Sequence, residues 1–253
     1  MTTLDRHQLS PTDRELFDLR YLDPTDGDAF ARNLLTSHFN PDDAGRVRPL
    51  VTIYAAPDEP ADIQLPRLLA RLTDQGLQSW APASPNGSLV PGLYRTTSGG
   101  VIAHDGNRDL SRVSHAFTLR TTGSVELLDG GLTGVLSDGP TLFLRATLIR
   151  AAQVLSYVVS FGEQTKRDAW TLLVNVRDAQ GAQLLDPHDR FRDSMTTSPR
   201  RSLERHLQFR RRLRPSDERE RGETIDRLDE FLSFAFGYSE GRGQSRPGEL
   251  VAS

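Results

Sequence analysis

Between Leu142 and Ser160 the sequence reads Leu-Phe-Leu-Arg-Ala-Thr-Leu-Ile-Arg-Ala-Ala-Gln-Val-Leu-Ser-Tyr-Val-Val-Ser. The pattern predicts one helix in which Arg150, Gln153, Ser156 and Ser160 form a narrow polar stripe and nearly every other position is apolar. A helix apolar over most of its circumference has to be covered on several sides, so it belongs in the middle of a fold. Arg145, Arg150 and Gln153 interrupt the run too often for a membrane span, which needs about 20 nearly uncharged residues. Met1-Thr2-Thr3-Leu4-Asp5-Arg6 has no apolar run behind it that could act as a signal peptide, so a cytoplasmic location is expected.

Strands are expected around that helix. Leu50, Val51, Ile53 and Tyr54 predict a buried strand over 48–55. Residues 92–97 and 100–104 read as a hairpin turned at Ser98-Gly99. Val113, His115, Phe117 and Leu119 alternate with polar positions, and Val125 and Leu127 return antiparallel after Gly123. A glycine-rich turn region over 129–139 leads into the central helix. Trp170 to Val176 predicts a further strand, folded back through Asp178–Gly181 onto Gln183–Leu185. Additional helices are expected from Ser10-Pro11, from Asp28 to His38, and across Ile63, Leu65, Leu68, Leu69 and Leu72. Local hairpins around a few packed helices define an α+β class with a mainly antiparallel sheet and a central buried helix.

The composition changes after Asp186. Residues 198–237 predict a basic helix and then an amphipathic one, forming a C-terminal helical hairpin or arm on an α+β domain of residues 1–190. The first helix would carry Arg200, Arg201, Arg205, Arg210, Arg211, Arg212 and Arg214 against Glu204, and Pro215 would end it. In the second, Ile225, Leu228, Phe231, Leu232 and Phe236 recur at three- and four-residue spacing. Residues 239–253, rich in Gly, Ser and Arg, are expected to be disordered.

Composition excludes several chemistries. The 253-residue chain has no cysteine, which removes disulfides, thiolate metal sites and a cysteine nucleophile. Lys166 is the sole lysine, and no Gly-Lys-Ser/Thr phosphate loop occurs. The prevalence of arginine over lysine, with plentiful alanine and leucine, is assigned to a GC-rich genome rather than to selection for arginine chemistry. Neither a His-Glu-x-x-His motif nor a Gly-x-Ser-x-Gly elbow is present. Asp186, His188, Asp189 and Asp193 could hold a hard cation, but they match no metal-ligand spacing and read as a loop rich in helix caps. His115 reads as a hydrogen-bonded core histidine. The acids Asp226 and Glu230, one turn apart, fall on a solvated helix face and are expected to be unperturbed. No catalytic constellation, cofactor or metal site is expected.

The segment His115-Ala116-Phe117-Thr118-Leu119-Arg120-Thr121-Thr122-Gly123-Ser124-Val125-Glu126 resembles the arginine-x-x-glycine-x-hydrophobic-glutamate hairpin of bacterial proteins with an AlbA/Schlafen-like DNA-binding domain. The helix over 142–160 and the run Leu172-Leu173-Val174-Asn175-Val176-Arg177-Asp178-Ala179-Gln180-Gly181-Ala182 are similar in order and spacing to the long helix and the strand that succeed the hairpin in that family. The resemblance covers residues 110–186. The family's glutamate–phenylalanine–lysine strand and Gly-Gly turn have no counterpart. The resemblance therefore implies an architecture and a nucleic-acid or phage-defence setting, with no catalytic residue.

Three functional readings arise from the residues. In the first, the arginine helix contacts phosphate groups of a nucleic acid in a protein whose 31 basic and 34 acidic side chains otherwise give a net charge of −3. The bland counterpart is a solvated helix face neutralised by the acids from Asp217 to Glu230. In the second, the apolar stripe Ile225, Leu228, Phe231, Leu232 and Phe236 docks on a protein partner or a second copy. A metal-dependent hydrolase built on Asp186, His188 and Asp189 is the third and weakest reading.

Overall fold

A computed structural model describes residues 49–64, 66–67, 93–97, 100–104, 115–185 and 200–238. The helices expected from Ser10 and Asp28, the Asp186–Asp193 cluster and the tail over 239–253 lie outside the described residues, as does most of the helix expected over 63–72.

In chain order the elements are β1 (Leu50–Pro57), β2 (Leu93–Thr97), β3 (Gly100–His104), β4 (His115–Arg120), β5 (Val125–Asp129), β6 (Thr133–Leu136), β7 (Gly139–Phe143), α1 (Leu144–Thr165), β8 (Trp170–Arg177), β9 (Gln183–Leu185), β10 (His206–Leu213) and α2 (Glu218–Ala235). A seven-stranded sheet runs β10-β8-β1-β5-β4-β3-β2, with every neighbouring pair antiparallel. A three-stranded sheet, β6-β7-β9, joins β6 and β7 antiparallel and β7 and β9 in parallel. The class is α+β, as the hairpin signals and the central helix predict.

Side chains alternate across the large sheet as strand geometry requires. Val51, Ile53 and Ala55 of β1 share a buried face with Leu172, Val174 and Val176 of β8 and with Val125 and Leu127 of β5. Leu148, Val154, Leu155 and Val158 of α1 complete the same core. The Phe117 ring meets Tyr157 edge-on at 4.9 Å. On the opposite face Tyr54, Ala56 and Leu173 form a smaller buried cluster.

The polar stripe of α1 has a specific partner. Arg150 is only 1% exposed; its Nε donates to Asp129 Oδ2 at 2.7 Å and its Nη1 to Gln153 Oε1 at 2.8 Å. Asp129 also accepts from the Gly131 amide at 2.8 Å, capping a 3₁₀ turn over Gly130–Leu132. His115 Nδ1 lies 3.9 Å from Asp129 Oδ2, so the core histidine faces the same carboxylate.

Helix α1 ends at Lys166, which adopts the left-handed conformation at φ 54°. Glycine fits that position without a Cβ penalty. Lys166→Gly is expected to stabilise the fold by about 0.5–1 kcal/mol and raise Tm by about 1–4 °C, measured by calorimetry.

Three expectations are corrected here. The turn region over 129–139 holds β6 and opens β7, and β9 joins β7 instead of folding back on β8. The second correction concerns the basic segment: His206–Leu213 is a strand, not a helix, and it pairs with the whole of β8 from His206–Arg177 to Leu213–Trp170. Leu207, Phe209 and Leu213 all turn to the core, which selects period two over the helical period. The third concerns α2. Ile225, Leu228, Leu232 and Phe236 are each 0% exposed, and partly buried Phe231 packs on Phe209 with ring centroids 5.7 Å apart. These residues finish the core of the main domain and offer a partner no free apolar stripe. Residues 200–238 are therefore part of the main body, not a separate helical arm.

Candidate nucleic-acid interface

The sequence of β10, His-Leu-Gln-Phe-Arg-Arg-Arg-Leu, sends alternate side chains to opposite faces. Leu207, Phe209 and Leu213 go inward with Val176, Val174 and Trp170. His206, Gln208, Arg210 and Arg212 take the face opposite α1 and α2 and are exposed. Antiparallel register sets Arg177 of β8 directly opposite His206 and Asn175 opposite Gln208. Gln208 Nε2 donates to Asn175 Oδ1 at 3.1 Å, tying the two strands on that face. Thus one sheet face carries His206, Arg210 and Arg212 on the terminal strand and Arg177 on the strand beside it, with Arg212 Nε ion-paired to Asp58 Oδ2.

The other arginines of the predicted row are distributed elsewhere. Arg200 lies over the Tyr238 ring, 5.0 Å from its centroid, and donates to the Gly237 carbonyl. Arg201 bridges two turns, donating to Gly181 O at 2.6 Å and to the Asp138 carbonyl. Arg205 is 71% exposed and pairs with Asp178 at 3.1 Å. Arg211 faces the helix side and reaches Glu223 at 3.5 Å. Arg214 clamps Glu220 with two side-chain bonds of 2.6 and 2.9 Å. Five of the predicted residues, Arg200, Arg201, Arg205, Arg211 and Arg214, thus bond turns or α2 within the chain, and Arg212 pairs with Asp58. The common helical face expected for all seven does not exist.

Charge on α2 runs the other way. Asp217 caps the helix through the amides of Arg219 and Glu220, at 3.0 and 3.2 Å. The Arg214 amide, and then its guanidinium, hold the Glu220 carboxyl below the ordinary carboxylate range. Asp226 moves upward, through burial first and then through the carboxylates of Asp229, Glu230 and Glu223. A raised folded-state pKa means that ionising Asp226 opposes folding once pH rises through it. Because Asp226 is largely exposed and solvent screens its neighbours, Asp226→Asn is expected to stabilise the protein by only about 0.2–0.5 kcal/mol at neutral pH. The gain should vanish below about pH 3, where Asp226 is protonated in both states, and chemical denaturation at the two pH values checks it.

Among the described residues, no group of three or more His, Asp or Glu side chains could hold a metal ion. The buried set of Arg150, Asp129, Gln153 and His115 is internally bonded and serves to lock α1 to β5. No helix among the described residues is long and apolar enough to cross a membrane. Comparison with protein-family models, with curated proteins and with solved structures finds no match.

Sequence reading missed Arg177, His206 and Gln208 as members of this face. For the last two the signal was available: apolar positions 207, 209 and 213 recur at even intervals, the mark of a strand. Arg177 joins them only through strand register.

Proposed function

We propose that this is a non-enzymatic, cytoplasmic, nucleic-acid-associated protein that contacts phosphate groups through Arg177, Arg210 and Arg212, with His206 beside them. The observation that supports the reading is the alignment of these side chains on one face of the last two strands of the sheet, β10 and β8. Guanidinium groups are forked donors suited to phosphate oxygens. The ion pair of Arg212, itself 73% exposed, with Asp58 does not oppose this role. Exposed pairs are held by only about 0.2–1 kcal/mol, so a phosphate can replace the carboxylate. Contacts of this kind give affinity without base specificity.

Fluorescence-anisotropy titration of a labelled oligonucleotide tests the proposal. Three phosphate contacts give a log–log salt slope of about 2–3, so affinity should fall about 20–40-fold between about 50 and 200 mM salt. The variant R177Q/R210Q/R212Q is expected to bind at least about tenfold more weakly at low salt with an unchanged circular dichroism spectrum. Equal binding by the folded variant, or no binding by the intact protein at low salt, contradicts the proposal.

A further inference from the structure

We infer that the face of the large sheet opposite α1 and α2 is the docking surface for the chain's own N-terminal segment, whose expected helices from Ser10 and from Asp28 lie across it as a third layer. The inference is independent of the phosphate-binding reading above.

The central strands require such a layer. β1, Leu-Val-Thr-Ile-Tyr-Ala-Ala-Pro, and β8, Trp-Thr-Leu-Leu-Val-Asn-Val-Arg, are near-continuous apolar runs, the pattern of strands buried on both faces. Helices α1 and α2 share one core with Val51, Ile53, Leu172 and Val174 on the first face. On the second face Leu50, Tyr54, Ala56 and Leu173 are 3, 1, 1 and 2% exposed. Tyr54, Ala56 and Leu173 cluster there apart from the core that holds both described helices. These exposures are those of a single chain, so the cover is supplied by the chain itself.

Burial along one row of the sheet locates the border of the layer. Register sets Ile102, Thr118, Glu126, Tyr54, Leu173 and Arg210 side by side across six strands. Ile102, Tyr54 and Leu173 are buried, Thr118 and Glu126 are half-buried, and Arg210 is exposed. The cover therefore extends from β3 to β8 and stops short of β10. Five strands at about 4.8 Å spacing span about 20 Å, the width of two helices packed about 8–10 Å apart.

Residues 1–48 carry what the layer needs and lead directly into Leu50, inside the covered region. Their two expected helices each present an apolar stripe: Leu16, Phe17 and Leu19 in one, and Phe30, Leu34 and Leu35 in the other. The remaining segments suit the role less well. Ile63, which opens the helix expected over 63–72, packs on the main core with α1. Residues 186–199 are largely polar, and residues 239–253 are rich in Gly, Ser and Arg.

Double electron–electron resonance on the full chain tests the inference. The chain has no cysteine, so two introduced cysteines carry the only spin labels. One label is placed on the segment at a polar position, by Asp18→Cys or by Asn33→Cys. The second is placed by His206→Cys, at the exposed border of the covered face, or by Asp226→Cys, on the solvent side of α2. Each segment position is expected to give a narrow distance distribution to residue 206. The distance to residue 226 should be longer by at least about 10 Å, because the thickness of a helix intervenes. Arg14→Cys and Arg32→Cys replace a segment position whose label alters the circular dichroism spectrum. A broad distribution from either helix, or a distance to residue 226 no longer than that to residue 206, overturns the inference.

Discussion

A chain ending at Met195 is expected to show no cooperative unfolding transition and to elute as aggregate. The truncation removes Leu207, Phe209, Leu213, Ile225, Leu228, Leu232 and Phe236, all 8% exposed or less. At about 1.5–3 kcal/mol for each buried side chain, the loss is roughly 10–20 kcal/mol. Whole domains are stable by only about 5–15 kcal/mol. The cut also strips β10 from β8 along its full length, leaving the central hydrophobic strand Trp170–Arg177 as an unprotected edge. Thermal melts followed by near-UV circular dichroism, together with size-exclusion chromatography, check the expectation. A sharp, reversible transition in the shortened protein would show that the C-terminal elements are dispensable. The same physics makes truncation a poor probe of nucleic-acid binding, since loss of binding would report loss of the fold. Charge-neutralising substitutions on β10 and β8 avoid that confusion.

Arg150→Ala is expected to cost about 3–5 kcal/mol, the range for removing one partner of a buried ion pair. Its guanidinium is enclosed in the core and bonded to Asp129 at 2.7 Å and Gln153 at 2.8 Å. Without it the Asp129 carboxylate loses its buried counter-charge and Gln153 loses a donor. For a chain of this size the corresponding fall in Tm is about 6–20 °C. The double variant D129N/R150M keeps an oxygen for the Gly131 amide and leaves no buried charge at this pair, so it should lose less than the single variant does. A double-mutant cycle by denaturant unfolding is expected to return a coupling above about 1 kcal/mol. A cost below about 1 kcal/mol for Arg150→Ala contradicts the structural role given to the network.

Much of the α+β framework is legible in local pattern. The apolar run from Leu142 identifies α1 because its periodicity holds over many turns. Alternation at Phe117 and Leu119, and at Val125 and Leu127, marks β4 and β5. The hairpin of β6 and β7 is hidden because Gly134, Gly139 and Pro140 sit inside its short strands and read as turn residues. The segment that became β10 is ambiguous locally. Arg210, Arg211 and Arg212 favour a helix by propensity and mask the alternation of Leu207, Phe209 and Leu213. Tertiary structure decides the matter, since β8 would otherwise expose an edge and α2 would have no strand beneath it. The basic character of the site was therefore readable, but its shape was not. Arg210 and Arg212 belonged to the predicted set, whereas Arg177 reaches their face only through antiparallel pairing.

Hydrogen–deuterium exchange across residues 206–213 of the intact protein tests the central structural claim most directly. The Ala179 amide donates to the Arg205 carbonyl at 2.9 Å, fixing the hydrogen-bonding phase of the adjoining strand β10. The amides of Leu207, Phe209, Arg211 and Leu213 consequently point at β8. Protection of these amides comparable to that of β8, lost only on global unfolding, is the predicted result. Rapid exchange through 206–213 while β8 stays protected would contradict the strand assignment, and with it the arginine-bearing sheet face.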